Sequence, residues 1–121
     1  MRYMFLIYSS EAGEAVAPQA ARRAAALQHQ TVMRAAAAKG IFLGADPLEP
    51  TTTATTLRTK DGRPSIIDGP FAETKEQLAG YYILDCKDLD EAIAWAAKIP
   101  SACKGGAGCI EIRPIMGLPP R

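Results

Sequence analysis

Tyr3-Met4-Phe5-Leu6-Ile7-Tyr8 and Leu78-Ala79-Gly80-Tyr81-Tyr82-Ile83-Leu84-Asp85-Cys86 decide how this chain folds. Both are short apolar and aromatic runs, and neither alternates cleanly between apolar and polar residues. A strand with apolar side chains on both faces must be covered on both faces. In the second run Tyr81 and Ile83 face one way and Tyr82 and Leu84 the other. Both runs are therefore read as central strands of a sheet.

The segments around them supply the remaining elements. From Pro18 to Lys39 the chain is rich in alanine and ends at Gly40, which predicts one long helix. Ile41–Leu43 is read as a short strand, followed by an extended connection through Pro47, Pro50 and the Thr-rich stretch Thr51–Thr56. Asp61-Gly62 separates Leu57–Lys60 from Arg63–Ile67 and is the two-residue signature of a tight hairpin. Asp88 with Glu91 three residues on resembles a capping box. It opens a second helix with an apolar stripe at Leu89, Ala92, Ile93 and Ala96, closed by Pro100. Ile110 and Ile112 alternate with Glu111 and Arg113 in a last strand ending at Pro114, and the tail Gly117–Arg121 is expected to fray.

The order of strand, helix, strand with hairpin, strand, helix and strand fits a single α+β domain over residues 1–121. The arrangement expected is ferredoxin-like, an antiparallel sheet with two helices on one face. Two helices cover only one face of such a sheet. Leaving the other face wet forgoes roughly 1.5–3 kcal/mol for each large apolar side chain and creates a patch that soluble monomers do not usually carry. A second copy of the chain is the simplest cover, because two-fold assembly is the commonest kind. The competing arrangement is a monomer whose Thr-rich connection and C-terminal tail fold over that face.

Composition narrows the function classes. In 121 residues, 14 Lys and Arg oppose 13 Asp and Glu, for a formal net charge of +1. That balance gives no electrostatic reason to expect direct nucleic-acid or membrane-surface binding. The first apolar run is too short to span a bilayer and lacks a signal-peptide cleavage pattern, so a cytoplasmic location is expected. Cys86, Cys103 and Cys109 form no C-x-x-C pair, which points to free thiols and to neither a zinc site nor a disulfide framework, the lesser alternative being a Cys103–Cys109 bridge across the Gly-rich turn. No metal or cofactor site is expected. The Lys104–Gly108 run precedes a strand and lacks the helix N-terminus of a phosphate cradle.

The single histidine, His29, falls in the long helix with Ala25, Val32, Met33 and Ala36 at its own helical spacing. Arg23, Gln28, Gln30, Thr31 and Arg34 lie mostly on the opposite side, so His29 is expected to point toward the sheet. An inward imidazole is either a core histidine bonded to a backbone carbonyl or a group serving a ligand. Asp68-Gly69-Pro70 reads as a structural turn. It frees Phe71 to anchor the following loop and brings Glu73, Lys75 and Glu76 beside a rigid corner, where solvated charge and a binding role are both open readings.

The run from Asp68 to Leu78, Asp-Gly-Pro-Phe-Ala-Glu-Thr-Lys-Glu-Gln-Leu, resembles the signature of the DGPF subgroup of YCII-related proteins. Tyr3–Tyr8, Ala54–Arg58, Asp88–Ala92 and Ile110–Ile115 resemble the same family, so the similarity extends along nearly the whole chain. The resemblance implies a dimeric α+β barrel in which two ferredoxin-like sheets pack face to face. It also implies a His-Asp pair as catalytic residues: His29 with Asp68 preferred as its partner and Asp46 as the other choice. Phe71, Glu73 and Lys75 are then candidate binding residues.

Three functions follow as expectations. One is a small cofactor-independent enzyme with its pocket between the long helix and the sheet, His29 moving a proton and Asp68 orienting it. Another is a non-catalytic module binding a small molecule or a protein, where the resemblance suggests association with a sigma factor. The last is a structural dimer without a ligand.

Overall fold

The computed structural model describes residues 1–100 and 108–118. Cys103, most of the Gly-rich turn and the last three residues of the tail lie outside that range. The described elements are β1 (Arg2–Ser9), α1 (Glu11–Ala15), α2 (Gln19–Ala38), β2 (Phe42–Pro47), β3 (Thr55–Lys60), β4 (Arg63–Asp68), β5 (Gln77–Asp85), α3 (Leu89–Ala96) and β6 (Gly108–Pro114), with a short 3-10 turn at Thr51–Thr53.

Four strands form the main sheet in the order β2-β5-β1-β6, and each neighbouring pair is antiparallel. With the hairpin set aside, that order is compatible with a ferredoxin-like α+β fold. The two apolar runs are its central strands, as their two-sided character predicts. Tyr3, Phe5 and Ile7 on β1 lie level with Leu84, Tyr82 and Gly80 on β5, on the face that the helices cover. Phe5 and Leu84 are fully buried there, beside Val32 and Ala36 of α2 and Ala92 and Trp95 of α3. Met4, Leu6, Tyr8, Tyr81 and Ile83 point to the opposite face and are only partly covered.

Three details differ from the sequence reading. A short helix, α1, precedes the long one, with Ser10 capping it through a 3.2 Å bond from the Gly13 amide. Glu11 of α1 accepts from the amide and hydroxyl of Thr51 at 2.7 and 2.8 Å, which clips α1 to the 3-10 turn and organises the Thr-rich connection. In α3 the buried stripe is Ala92 and Trp95, continued by Ile99, while Leu89 and Ile93 are about half exposed. The expected stripe is thus rotated, because the indole of Trp95 is the largest apolar surface on the helix and takes the core position. Asp88 does cap that helix, accepting from the Glu91 amide at 2.9 Å.

The hairpin forms at Asp61-Gly62, where both residues have positive φ, 52° and 76°. A tight two-residue turn of matching twist needs that conformation. Strands β3 and β4 pair only with each other and stand apart from the main sheet. Leu57, Ile66 and Ile67 are exposed on them. Cys86, just after β5, is fully buried, and burial followed by the nearby Glu91 and Asp85 carboxylates pushes its thiol above the ordinary range. Among the described residues, no helix is long and apolar enough to cross a membrane.

Candidate functional site

Small side chains make the site. The first half of α2 turns Ala21, Ala25 and His29 inward, one turn apart, toward Ala45, Ala79 and Gly80 on the sheet. Alanines and a glycine cannot bridge the distance between a helix and a sheet, so a cavity of about 620 Å³ remains, open to solvent on one side. Only near the end of α2 do Val32 and Ala36 close onto the core. The β1–β5 register slips by one residue between Ile7 and Tyr8, beside Ala79, and a bulge of this kind re-aims the chain next to a site. Glycine is required at position 80, because a Cβ there would stand 2.8 Å from the Asp46 carbonyl oxygen.

The inner end of the cavity is polar. His29 Nδ1 lies 2.6 Å from the Tyr82 hydroxyl, joining the long helix to a central strand. In this bond either the phenol O–H donates to Nδ1 or Nδ1–H donates to the phenol oxygen, according to the imidazole tautomer. The other candidate acceptor for the phenol, the His29 carbonyl, is 3.5 Å away. When the phenol donates, the imidazole carries its proton on Nε2. Burial lowers the imidazole pKa below its ordinary 6.5 and pushes the Tyr82 phenol up to about 12. Both groups are neutral at pH 7, and Nε2 has no hydrogen-bond partner among the described residues.

Ser9 lies toward the other end, on the helix-covered side of β1. It is 2% exposed, and its hydroxyl is buried with no hydrogen-bond partner among the described residues. A buried hydroxyl left unpaired is costly, on the order of 1–3 kcal/mol, which makes it a marker for a missing polar group. Glu14 of α1 and Arg22 of α2 also line the cavity.

The aspartates lie elsewhere. Asp68 ends β4 in the detached hairpin, exposed, and is not among the residues that line the cavity. Asp46 borders it through β2, but its register with Tyr81 turns its side chain to the open face, where the carboxylate accepts from the Tyr81 hydroxyl at 2.6 Å. That bond and the adjacent negative charge raise the Tyr81 pKa. The structure thus brings His29 to a tyrosine; Tyr82 was named from sequence only as a strand residue. Phe71, Glu73 and Lys75 are exposed on the connection between β4 and β5, outside the cavity lining, and Phe71 is 77% exposed. No group of His, Cys, Asp and Glu suited to a metal ion occurs among the described residues.

These features define a class: small α+β proteins with a ligand-sized hollow between the long helix and an antiparallel sheet. Residues 1–118 match the model of the YCII-related domain, and the chain belongs to the YCII-related family. It is also 50% identical over 68 residues to an uncharacterised protein of Rhizobium meliloti (strain 1021), a match covering 56% of this chain and 54% of that relative. The match thus spans about half the length of the curated relative.

Proposed function

We propose that this protein binds a small molecule between α2 and the sheet, with His29 donating from Nε2 to an oxygen of that molecule. The observation that carries this reading is the hydrogen-bonded His29–Tyr82 pair at the inner end of a cavity of about 620 Å³. That volume is typical of pockets for small organic ligands, and an apolar wall with few polar groups is their usual composition. A histidine serving only as packing would be sealed in the core, whereas His29 is partly accessible at the cavity wall. If a reaction takes place here, the tautomer with its proton on Nε2 suits His29 to polarise a carbonyl or hydroxyl oxygen as a neutral donor.

The assembly proposed is a homodimer. A second copy would cover Met4, Leu6, Tyr8, Tyr81 and Ile83, which the helices leave half open. The exposed Leu57, Ile66 and Phe71 on and beside the hairpin add apolar surface suited to the same contact. Sedimentation equilibrium at micromolar concentration should give twice the 12.9 kDa chain mass, and a persistent single-chain mass removes the dimer.

Ligand binding is tested by ¹H–¹⁵N spectra of the wild type and His29→Ala against a metabolite library. The expected result is a compound that shifts the amides of Ala25, His29, Ala45 and Gly80 and does so more weakly in the variant. A library that moves none of these amides would sink the reading.

A further inference from the structure

Most of the polar side chains that line the cavity are committed elsewhere. Glu14, Arg22 and Gln30 are exposed and keep their hydration. The Ser9 hydroxyl is sealed from solvent, out of reach of a molecule in the hollow. Asp46 and Tyr81 bond to each other on the opposite face of the sheet. The Tyr82 hydroxyl is taken up by His29 Nδ1. Among the described residues, that leaves a ligand one polar side-chain atom, His29 Nε2, beside a wall of Ala21, Ala25, Ala45, Ala79 and Gly80.

We propose that the cavity takes an uncharged, largely hydrocarbon molecule whose single oxygen bonds His29 Nε2. This rests on the reading of the cavity as a ligand site. The alanine wall favours apolar surface in proportion to the area taken out of water. An ionised carboxylate, phosphate or ammonium would give up its hydration there with no opposite charge and no set of hydrogen bonds to replace it. One neutral imidazole does not offset that cost. The same desolvation acts on His29, whose own charged form burial disfavours. A hydroxyl suits Nε2 in either tautomer, accepting where Nε2 carries the proton and donating where it does not, while a carbonyl suits only the first.

Four probes on one skeleton test this by titration of the full wild-type chain, followed in ¹H–¹⁵N spectra at pH 7. 3-Phenylpropanol is uncharged with one oxygen, propylbenzene lacks the oxygen, 3-phenylpropionate is an anion and 3-phenylpropylamine a cation. The alcohol should bind most tightly, with propylbenzene weaker by about three- to tenfold for the loss of one hydrogen bond. The acid and the amine should be weaker than the alcohol by more than about tenfold. His29→Ala should remove the advantage of the alcohol over propylbenzene and leave propylbenzene bound. Wild-type binding of the hydrocarbon, the acid or the amine as tight as that of the alcohol overturns the assignment. If none of the four shifts the cavity amides, the charge of the library compound that does decides: an uncharged one upholds the assignment, and an ionised one overturns it while the ligand site stands. If the library is silent as well, both fail.

Discussion

The two halves of α2 lie over the same sheet and do opposite things. Toward its C-terminal end Val32 and Ala36 are buried against Phe5, Tyr82 and Leu84, and helix and sheet meet as a packed core. In its first half Ala21 and Ala25 face Ala45, Ala79 and Gly80, and the layers stay apart. Both halves are alanine-rich, so composition does not distinguish them. The difference lies in what the sheet presents: aromatic and leucine side chains reach up to meet the helix at one end, and at the other there is almost nothing to reach with. His29 and Tyr82 stand at the junction.

The largest effect expected from disturbing this contrast is at the packed end. Phe5 is fully buried, so Phe5→Ala should cost about 3–5 kcal/mol in chemical denaturation, the range for removing a core aromatic. A smaller effect, and a sharper comparison, comes from placing the same residue in both halves. Ala36 has no exposed surface, and Ala36→Leu should destabilise by about 1–3 kcal/mol through overpacking. Ala25→Leu grows into open space and should change stability by less than about 1 kcal/mol while blocking the ligand-induced amide shifts. Equal destabilisation by the two leucines would mean that the hollow is not there in solution. Gly80→Ala should cost roughly 1–3 kcal/mol, since its methyl meets a carbonyl of the edge strand, and should speed hydrogen exchange in β2.

The smallest effect is a dependence on pH from the junction itself. Because burial lowers the His29 pKa, the folded imidazole stays neutral where the unfolded one takes up a proton. Its contribution to stability is complete above 6.5 and is lost as pH falls from there through the folded value. Tyr82 acts at the other extreme: its folded phenol keeps its proton up to about 12 against 10.0 unfolded, so stability declines as pH rises across that interval. Tyr82→Phe should make the alkaline decline shallower, leaving the part due to Tyr81 and Cys86, and cost about 0.5–1.5 kcal/mol near neutrality. Urea denaturation across pH 5–12 measures both limbs, and an unchanged alkaline limb in Tyr82→Phe rejects the assignment.

Much of the architecture was legible because it is encoded locally. Asp61-Gly62 specified its turn, Asp88 its cap, and the two-sided apolar runs their central places in the sheet. The inward direction of His29 followed from helical spacing alone. Its partner did not, because Tyr82 is 53 residues away and meets it only through the helix–sheet packing. Register slips are equally silent in sequence, and one of them lies beside Ala79 at the cavity. Gln30, assigned to the outer side of the helix by spacing, is exposed and also lines the cavity. Asp68 drew attention through its motif, but its strand belongs to a hairpin whose detachment from the main sheet depends on pairings that no short segment records.

The seclusion of Cys86 gives the fold an internal clock. Its sulfur is sheltered from solvent and held in the unreactive protonated form, whereas Cys109 sits at the surface. An alkylating reagent should therefore modify position 86 only when the chain around it opens, and the pace of that labelling would time the breathing of the core without any added probe.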